Sequence, residues 1–152
     1  MNSSRPDIDL NAIVYVSSAV ERLTPAQLDD LLAAARQRNE AAGVTGVLLH
    51  HDGSFFQYLE GPAQGLAPIF KIIRASRLHR GLVELLDQPV RSRLFPEWLM
   101  GFCEAPVSSL QQLEQARWGD AVERLQRRED QVQLDGAGLL LDFWHRCSHN
   151  QG

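Results

Sequence analysis

Cysteine is scarce: the 152 residues contain two. Cys103 and Cys147 stand apart with no C-x-x-C spacing, which argues against a disulfide scaffold or a zinc site and leaves two reduced, partly buried thiols as the expectation. No apolar run reaches membrane-spanning length, and the start MNSSRPDIDLN has no apolar signal segment, so the chain reads as soluble and cytoplasmic, with no membrane partner. Long basic runs are missing too. With a net charge of −4, nucleic acid is not an expected partner. The two local basic clusters, RASRLHR (74–80) and RLQRR (124–128), read as solvated helix faces. No repeat or low-complexity segment is visible.

The familiar signatures of catalysis are absent as well. No G-x-G-x-x-G opens a helix and there is no P-loop, so dinucleotide and nucleotide-triphosphate sites are set aside. GAGLLL (136–141) lacks the third glycine and follows no strand. No Ser/His/Asp order, HExxH motif or paired-carboxylate spacing stands out. His50 and His51 are neighbours on a strand, point to opposite faces and cannot chelate together. The chain is not expected to be an enzyme.

The pattern that is present is one of strands and helices in a definite order. LNAIVYVSSA (10–19) sets Ile13, Tyr15 and Ser17 against Ala12, Val14 and Val16, apolar on both faces, hence a central strand. The next segment, TPAQLDDLLAAARQRN, has Thr24 as N-cap, Pro25 at the first helical position and Gln27 completing a capping box. Leu28, Leu31, Leu32 and Ala35 form its buried stripe, and Gly43 suits its exit. Two strands, about 44–51 and 54–60, flank Asp52-Gly53, a strong two-residue hairpin signal. A second helix begins between Pro62 and Pro68, with Pro68 expected in the first turn. Its inner face carries Leu66, Ile69, Phe70 and Ile73. A fourth strand spans 82–93, ending or interrupted near Pro89, and a fifth spans 98–104.

The order β-α-β-β-α-β-β predicts an α+β, ferredoxin-like fold: a five-stranded mixed sheet with two helices on one face. SSLQQLEQARWGDAVERLQRR and GLLLDFWHRC then read as C-terminal helices, packing on the free sheet face or on a partner. Residues 1–104 form the expected principal domain, and 105–152 the helical extension.

One strand carries an anomaly. In GSFFQYLEG (53–61), Phe55, Gln57 and Leu59 share one face, and a primary amide sits between two apolar residues. Left without partners, a buried amide costs about 1–3 kcal/mol, so a polar group must meet it. Tyr15, on the first strand, and Asn39, near the end of the first helix, are further polar groups on faces that should be buried. Trp98 and Met100 are expected on one face of the last strand.

Together these residues resemble one family. IVYVS (13–17), LLAAARQRN (31–39), GVTGVLL (43–49), GSFFQYLEG (53–61) and RLFPEWLMGF (93–102), in this order and spacing, are similar to the BLUF domain, the blue-light sensor that uses flavin. The resemblance implies FAD as cofactor, with FMN or riboflavin as alternatives, its ring lying between the two helices. It implies that Tyr15 reaches the ring through Gln57, that Asn39 contacts the ring edge, and that Trp98 and Met100 stand beside the switch. Ser17 and His79 join the implied cofactor site.

At the end of the second helix the family usually carries Asp-x-Arg-His. Here Ser76 and Leu78 stand in place of the aspartate and arginine, His79 is retained, and Arg77 and Arg80 are the neighbouring cations. The implied function is blue-light reception, signalling through the C-terminal helices to a downstream protein partner or across a homo-oligomer. The alternative is a BLUF-like interaction module that has lost or weakened its flavin. A third reading, an acylphosphatase-type enzyme using Arg22 in SSAVERL, fits least because that segment is apolar rather than glycine-rich.

Overall fold

The computed structural model describes residues 10–116, 118 and 136–151. The RLQRR cluster and the later part of the long predicted C-terminal helix lie outside them. Five strands, β1 (Leu10–Ala19), β2 (Thr45–His51), β3 (Ser54–Pro62), β4 (His79–Pro89) and β5 (Gly101–Glu104), form one sheet in the order β4-β1-β3-β2-β5. Helix α1 (Pro25–Ala42) connects β1 to β2, and α2 (Ala63–Ala75) connects β3 to β4. All neighbours are antiparallel except β2 and β5, which run parallel. This is the split β-α-β arrangement with an added strand, as the element order predicted.

Local chemistry explains the junctions. Thr24 and Gln27 form the reciprocal capping box ahead of Pro25, and Gly43 closes α1 in the left-handed conformation, φ 74°. At the hairpin, Asp52 and Gly53 both take positive φ, 46° and 87°, which matches the strand twist. Pro68 departs from expectation: it lies inside α2 rather than in its first turn. It is exposed, so the carbonyl one turn earlier can be hydrated, which limits the cost of the missing N–H.

The sheet is buried on both faces. On the first, Ile13, Leu48, Phe55 and Leu59 meet Leu32 of α1 and Leu66, Ile69 and Phe70 of α2. On the second, Val14, Val47, Leu49, Phe56 and Tyr58 meet α3 (Val107–Gln115) and α4 (Gly136–Gln151) through Leu110, Leu113, Leu140 and Trp144. The C-terminal helices thus share a core with the sheet, which buries Leu140 and Trp144 of the apolar GLLLDFW stretch and half-buries Leu139, Leu141 and Phe143. Helix α3 is shorter than its sequence pattern indicated. Ala116 is extended, and the Trp118 indole N–H donates to the Leu113 carbonyl at 2.9 Å while its ring packs on Phe56 at 5.6 Å.

Two further expectations are corrected. Cys103 and Cys147 are disulfide-bonded, with Cα atoms 6.3 Å apart, tying β5 to α4. The sequence positions gave no hint of this, because the two cysteines meet only once α4 lies across the second sheet face. The fourth strand starts earlier, at His79, and ends at Pro89; the fifth starts later, at Gly101. Trp98 and Met100 therefore precede β5 in a non-repetitive segment and do not share a strand face. Met100 is 2% exposed on the α1/α2 side, whereas Trp98 is 42% exposed and stacks edge-on against Trp144 of α4 at 5.3 Å.

Among the described residues no helix is long and apolar enough to cross a membrane.

Candidate functional site: a cavity between two helices and the sheet

Helices α1 and α2 diverge over the first sheet face and enclose a cavity of about 430 Å³. This lies within the range that holds a cofactor-sized ligand. Its floor is Tyr15, Ser17, Leu48, Gln57, Leu59 and Met100; Leu31, Ala35, Arg38 and Asn39 form the α1 wall. Ile69, Ile73, Ser76, Leu78 and His79 close the α2 side. Leu28, Leu31 and Ala35 are only half-buried; Leu31 and Ala35 overlook this cavity, and Leu28 packs against the edge of the first core.

The polar groups anticipated on buried faces converge here. Tyr15 and Gln57 are register partners on adjacent strands. The Tyr15 hydroxyl donates to Gln57 Oε1, while Gln57 Nε2 points to Met100 Sδ at 3.2 Å. Gln57 is 6% exposed, so its amide is met by a strong donor on one side and by a weak thioether acceptor on the other. Burial pushes the Tyr15 phenol well above its usual pKa range, with the Arg38 cation partly opposing it. Tyr15 therefore stays a protonated donor. Phe70 tilts against the phenol ring, centroids 5.7 Å apart, and His79 stacks on it at 6.3 Å.

Asn39 is 1% exposed and donates to the Leu99 carbonyl. Arg36 Nε donates to the Met100 carbonyl at 3.1 Å. His79 Nε2 donates to the Ile73 carbonyl at 2.8 Å. Ser76 caps α2 and its hydroxyl accepts from the Leu78 N–H at 3.1 Å; Leu78 is 49% exposed on the cavity rim. Of the expected site residues, Tyr15, Ser17, Asn39, Gln57, His79 and Met100 line one cavity, and Trp98 lies outside it.

Two buried polar atoms on this wall have no protein partner, Arg38 Nε and His79 Nδ1. Both are in residues lining the cavity. Such atoms cost free energy unless something else meets them, and the carbonyl-rich, N–H-bearing edge of a flavin ring offers both acceptors and donors. Gln57 and Asn39 add amide groups to the same wall. The donor set fits a flavin. Arg38 went unnoticed in the sequence although its signal was the same as Gln57's. It follows Leu31 and Ala35 at i+7 and i+3 on the inner stripe of α1, where a charge is out of place.

A second buried polar cluster lies across β3. Glu60 is fully buried; its carboxylate accepts from the Leu94 and Phe95 N–H groups at 2.8 and 2.6 Å and from the Tyr58 hydroxyl at 3.2 Å. Desolvation raises its pKa, opposed first by the backbone N–H groups of Phe95 and Leu94. Burial, with the neighbouring Glu60 carboxylate adding to it, raises the Tyr58 phenol as well. The Arg93 guanidinium donates to Thr45 Oγ1 and to the carbonyls of Glu60 and Gly43.

An α+β sheet whose paired tyrosine and glutamine face a ligand-sized cavity between two helices defines a small module built around a candidate cofactor site. Residues 10–101 match the family described as BLUF, sensors of blue light using FAD, and the chain belongs to that family. Its relatives include the photoactivated adenylate cyclase subunit beta of Euglena gracilis, 30% identical over 99 residues. That match covers 64% of this chain but 12% of the cyclase subunit, so only a small part of the relative is represented. Among solved structures, the dark state of the BLUF protein BlrB superposes with a TM-score of 0.63 at 26% identity, covering 87% of this chain and 95% of that one. Klebsiella pneumoniae BlrP1 with FMN and cyclic diGMP gives 0.60 at 28% identity, covering 86% of this chain and 34% of BlrP1.

Proposed function

We propose that this chain is a blue-light photoreceptor that holds FAD in the α1/α2 cavity and reports illumination through Tyr15 and Gln57. The observation that carries the reading is the Tyr15–Gln57 hydrogen bond, set in a cavity where Arg38 Nε and His79 Nδ1 have no protein partner. FMN and riboflavin offer the same ring to the same wall. When bound, the flavin supplies blue-light absorption and a transient electron acceptor.

The residues do the rest. Tyr15 keeps its proton in the dark and is placed to release and recover it. Gln57 can exchange its carbonyl and amino ends with almost no change in volume; the exchange gives up its weak bond to the Met100 thioether and turns its NH₂ group toward the Tyr15 hydroxyl, which then accepts instead of donating. A reoriented amide would offer a bound flavin a different hydrogen bond at its ring edge, which would shift the absorption. Met100 is the next group to respond. Since Met100 adjoins β5, and β5 is packed against Trp144 and bonded to Cys147, a displacement there has a direct route to α4. A downstream protein, or a second copy of the chain, would read that helix.

Leu78 at the rim favours a second reading, a module of the same fold with weakened flavin retention. A well-placed arginine at that edge would contribute about 1.5–3 kcal/mol. The visible spectrum of the purified full chain separates the two. Flavin bands that shift to the red under blue light and relax in darkness support photoreception, and mass analysis of the released chromophore identifies the flavin. A colourless protein that takes up neither FAD, FMN nor riboflavin supports the second.

A further inference from the structure

We propose that Glu60 is a positioning residue for the switch, its carboxylate fixing the pivot of segment 93–100, which carries Trp98 and Met100. Gln57 and Glu60 project from opposite faces of β3, one toward the cavity and the other into the second core. Four kinds of anchor hold segment 93–100. Glu60 takes the N–H groups of Leu94 and Phe95, Arg93 grips Thr45 and Gly43, and the Gly46 N–H donates to the Trp98 carbonyl at 2.8 Å. On the cavity wall Asn39 holds the Leu99 carbonyl and Gln57 meets the Met100 sulfur, while the exposed Arg36, outside the cavity lining, holds the Met100 carbonyl.

These anchors are unequal. The Asn39 and Gln57 amides lie on the cavity wall and are shared with any ligand there, so their hold on Leu99 and Met100 weakens whenever the ligand claims them. Glu60 is sealed from the cavity and from water, and its two short charge-assisted bonds to successive N–H groups persist throughout. One strand thus bears both the group that changes and the group that stays. Movement of Gln57 is converted into rotation of residues 96–100 about a fixed 94–95 hinge, with the Gly46 bond to the Trp98 carbonyl and the Arg36 bond to the Met100 carbonyl the two further contacts that this rotation must flex. The Trp98 ring, edge-on to Trp144, lies beyond that hinge and moves with it.

The inference rests on the proposed switch for its purpose but not for its test. Glu60→Gln keeps size and shape, yet a single amide oxygen must serve two N–H donors while its NH₂ group faces one of them. The segment then opens more often. Met100 lies on the cavity floor and is 2% exposed in the wild type, so an oxidation rate above the wild-type baseline reports opening, as hydrogen peroxide transfers one oxygen atom to the thioether and leaves as water. In flavin-free full-length protein, Glu60→Gln is expected to form Met100 sulfoxide at least about tenfold faster than wild type, read by mass spectrometry.

Val14→Ala, in the second core but away from the segment, serves as a control for general loosening. Chosen at a temperature where both variants are equally far below their melting points, it is expected to oxidise at the wild-type rate. Equal rates for Glu60→Gln and wild type, or for Glu60→Gln and Val14→Ala, would overturn the assignment. Failure to bind flavin would refute photoreception and leave this result standing.

Discussion

The Tyr15–Gln57 pair can be tested without light or ligand by a double-mutant cycle using Gln57→Leu and Tyr15→Phe. Both side chains are almost fully buried, at 6% and 4% exposure. Gln57→Leu leaves the Tyr15 hydroxyl, a protonated donor, with its acceptor gone. Tyr15→Phe leaves Gln57 Oε1 without its donor. Each single change strands a buried polar group and is expected to cost about 1–3 kcal/mol, or roughly 2–12 °C in melting temperature for a domain of this size. The double variant removes both partners and replaces them with apolar groups of similar shape, so its cost should fall well below the sum. A coupling of at least about 1 kcal/mol is expected, from chemical denaturation of the flavin-free protein followed by circular dichroism. Additivity within about 0.5 kcal/mol would refute the claim that these two groups satisfy one another across the β1–β3 register. In flavin-loaded protein, Gln57→Leu should retain the chromophore and lose the light-induced red shift.

Arg38→Met removes the cation whose Nε has no protein partner. It should lower flavin affinity about 10- to 100-fold by fluorescence titration while leaving the flavin-free melting temperature unchanged or higher. The raised pKa of Glu60 fixes a sign. The folded state favours the protonated carboxyl relative to the unfolded chain, so this contribution is full below pH 4.5, the ordinary value, and lost as pH rises through the folded value. Glu60→Gln should flatten that part of the stability–pH curve, measured by denaturant titration from acid to neutral pH. Opening the Cys103–Cys147 bond, which closes a sequence separation of 44 residues, should destabilise the chain by about 3–4 kcal/mol on the loop-entropy estimate. Melts with and without a dithiol reductant measure this, and Cys147→Ser should match the reduced protein.

What the sequence determined by itself is whatever rests on short-range chemistry. The Thr24–Gln27 capping box, the exit at Gly43, the Asp52-Gly53 hairpin and the alternation along GSFFQYLEG each depend on a few neighbouring residues, so strand and helix order followed from them. Gln57 was legible as a site residue for the same reason: period-2 alternation puts an amide on an apolar face, and the cost of leaving it unmet demands a partner. Arg38 carried an equivalent signal at helical spacing. The sequence could not say where segments distant along the chain would meet. Trp98 and Met100 parted company because β5 begins only where Gly101 can pair with Val47, leaving both in a segment whose course is set by Glu60, Gly46 and Asn39. Cys103 and Cys147 became partners only because α4 buries Trp144 over Gly101, where an added Cβ would lie 2.6 Å from the indole. The half-burial of the α1 stripe likewise reflects the separation of α1 from α2, a packing distance that neither helix encodes alone. Local pattern fixes what each element is; the distances between elements, and hence the cavity, come from how all of them fill two cores at once.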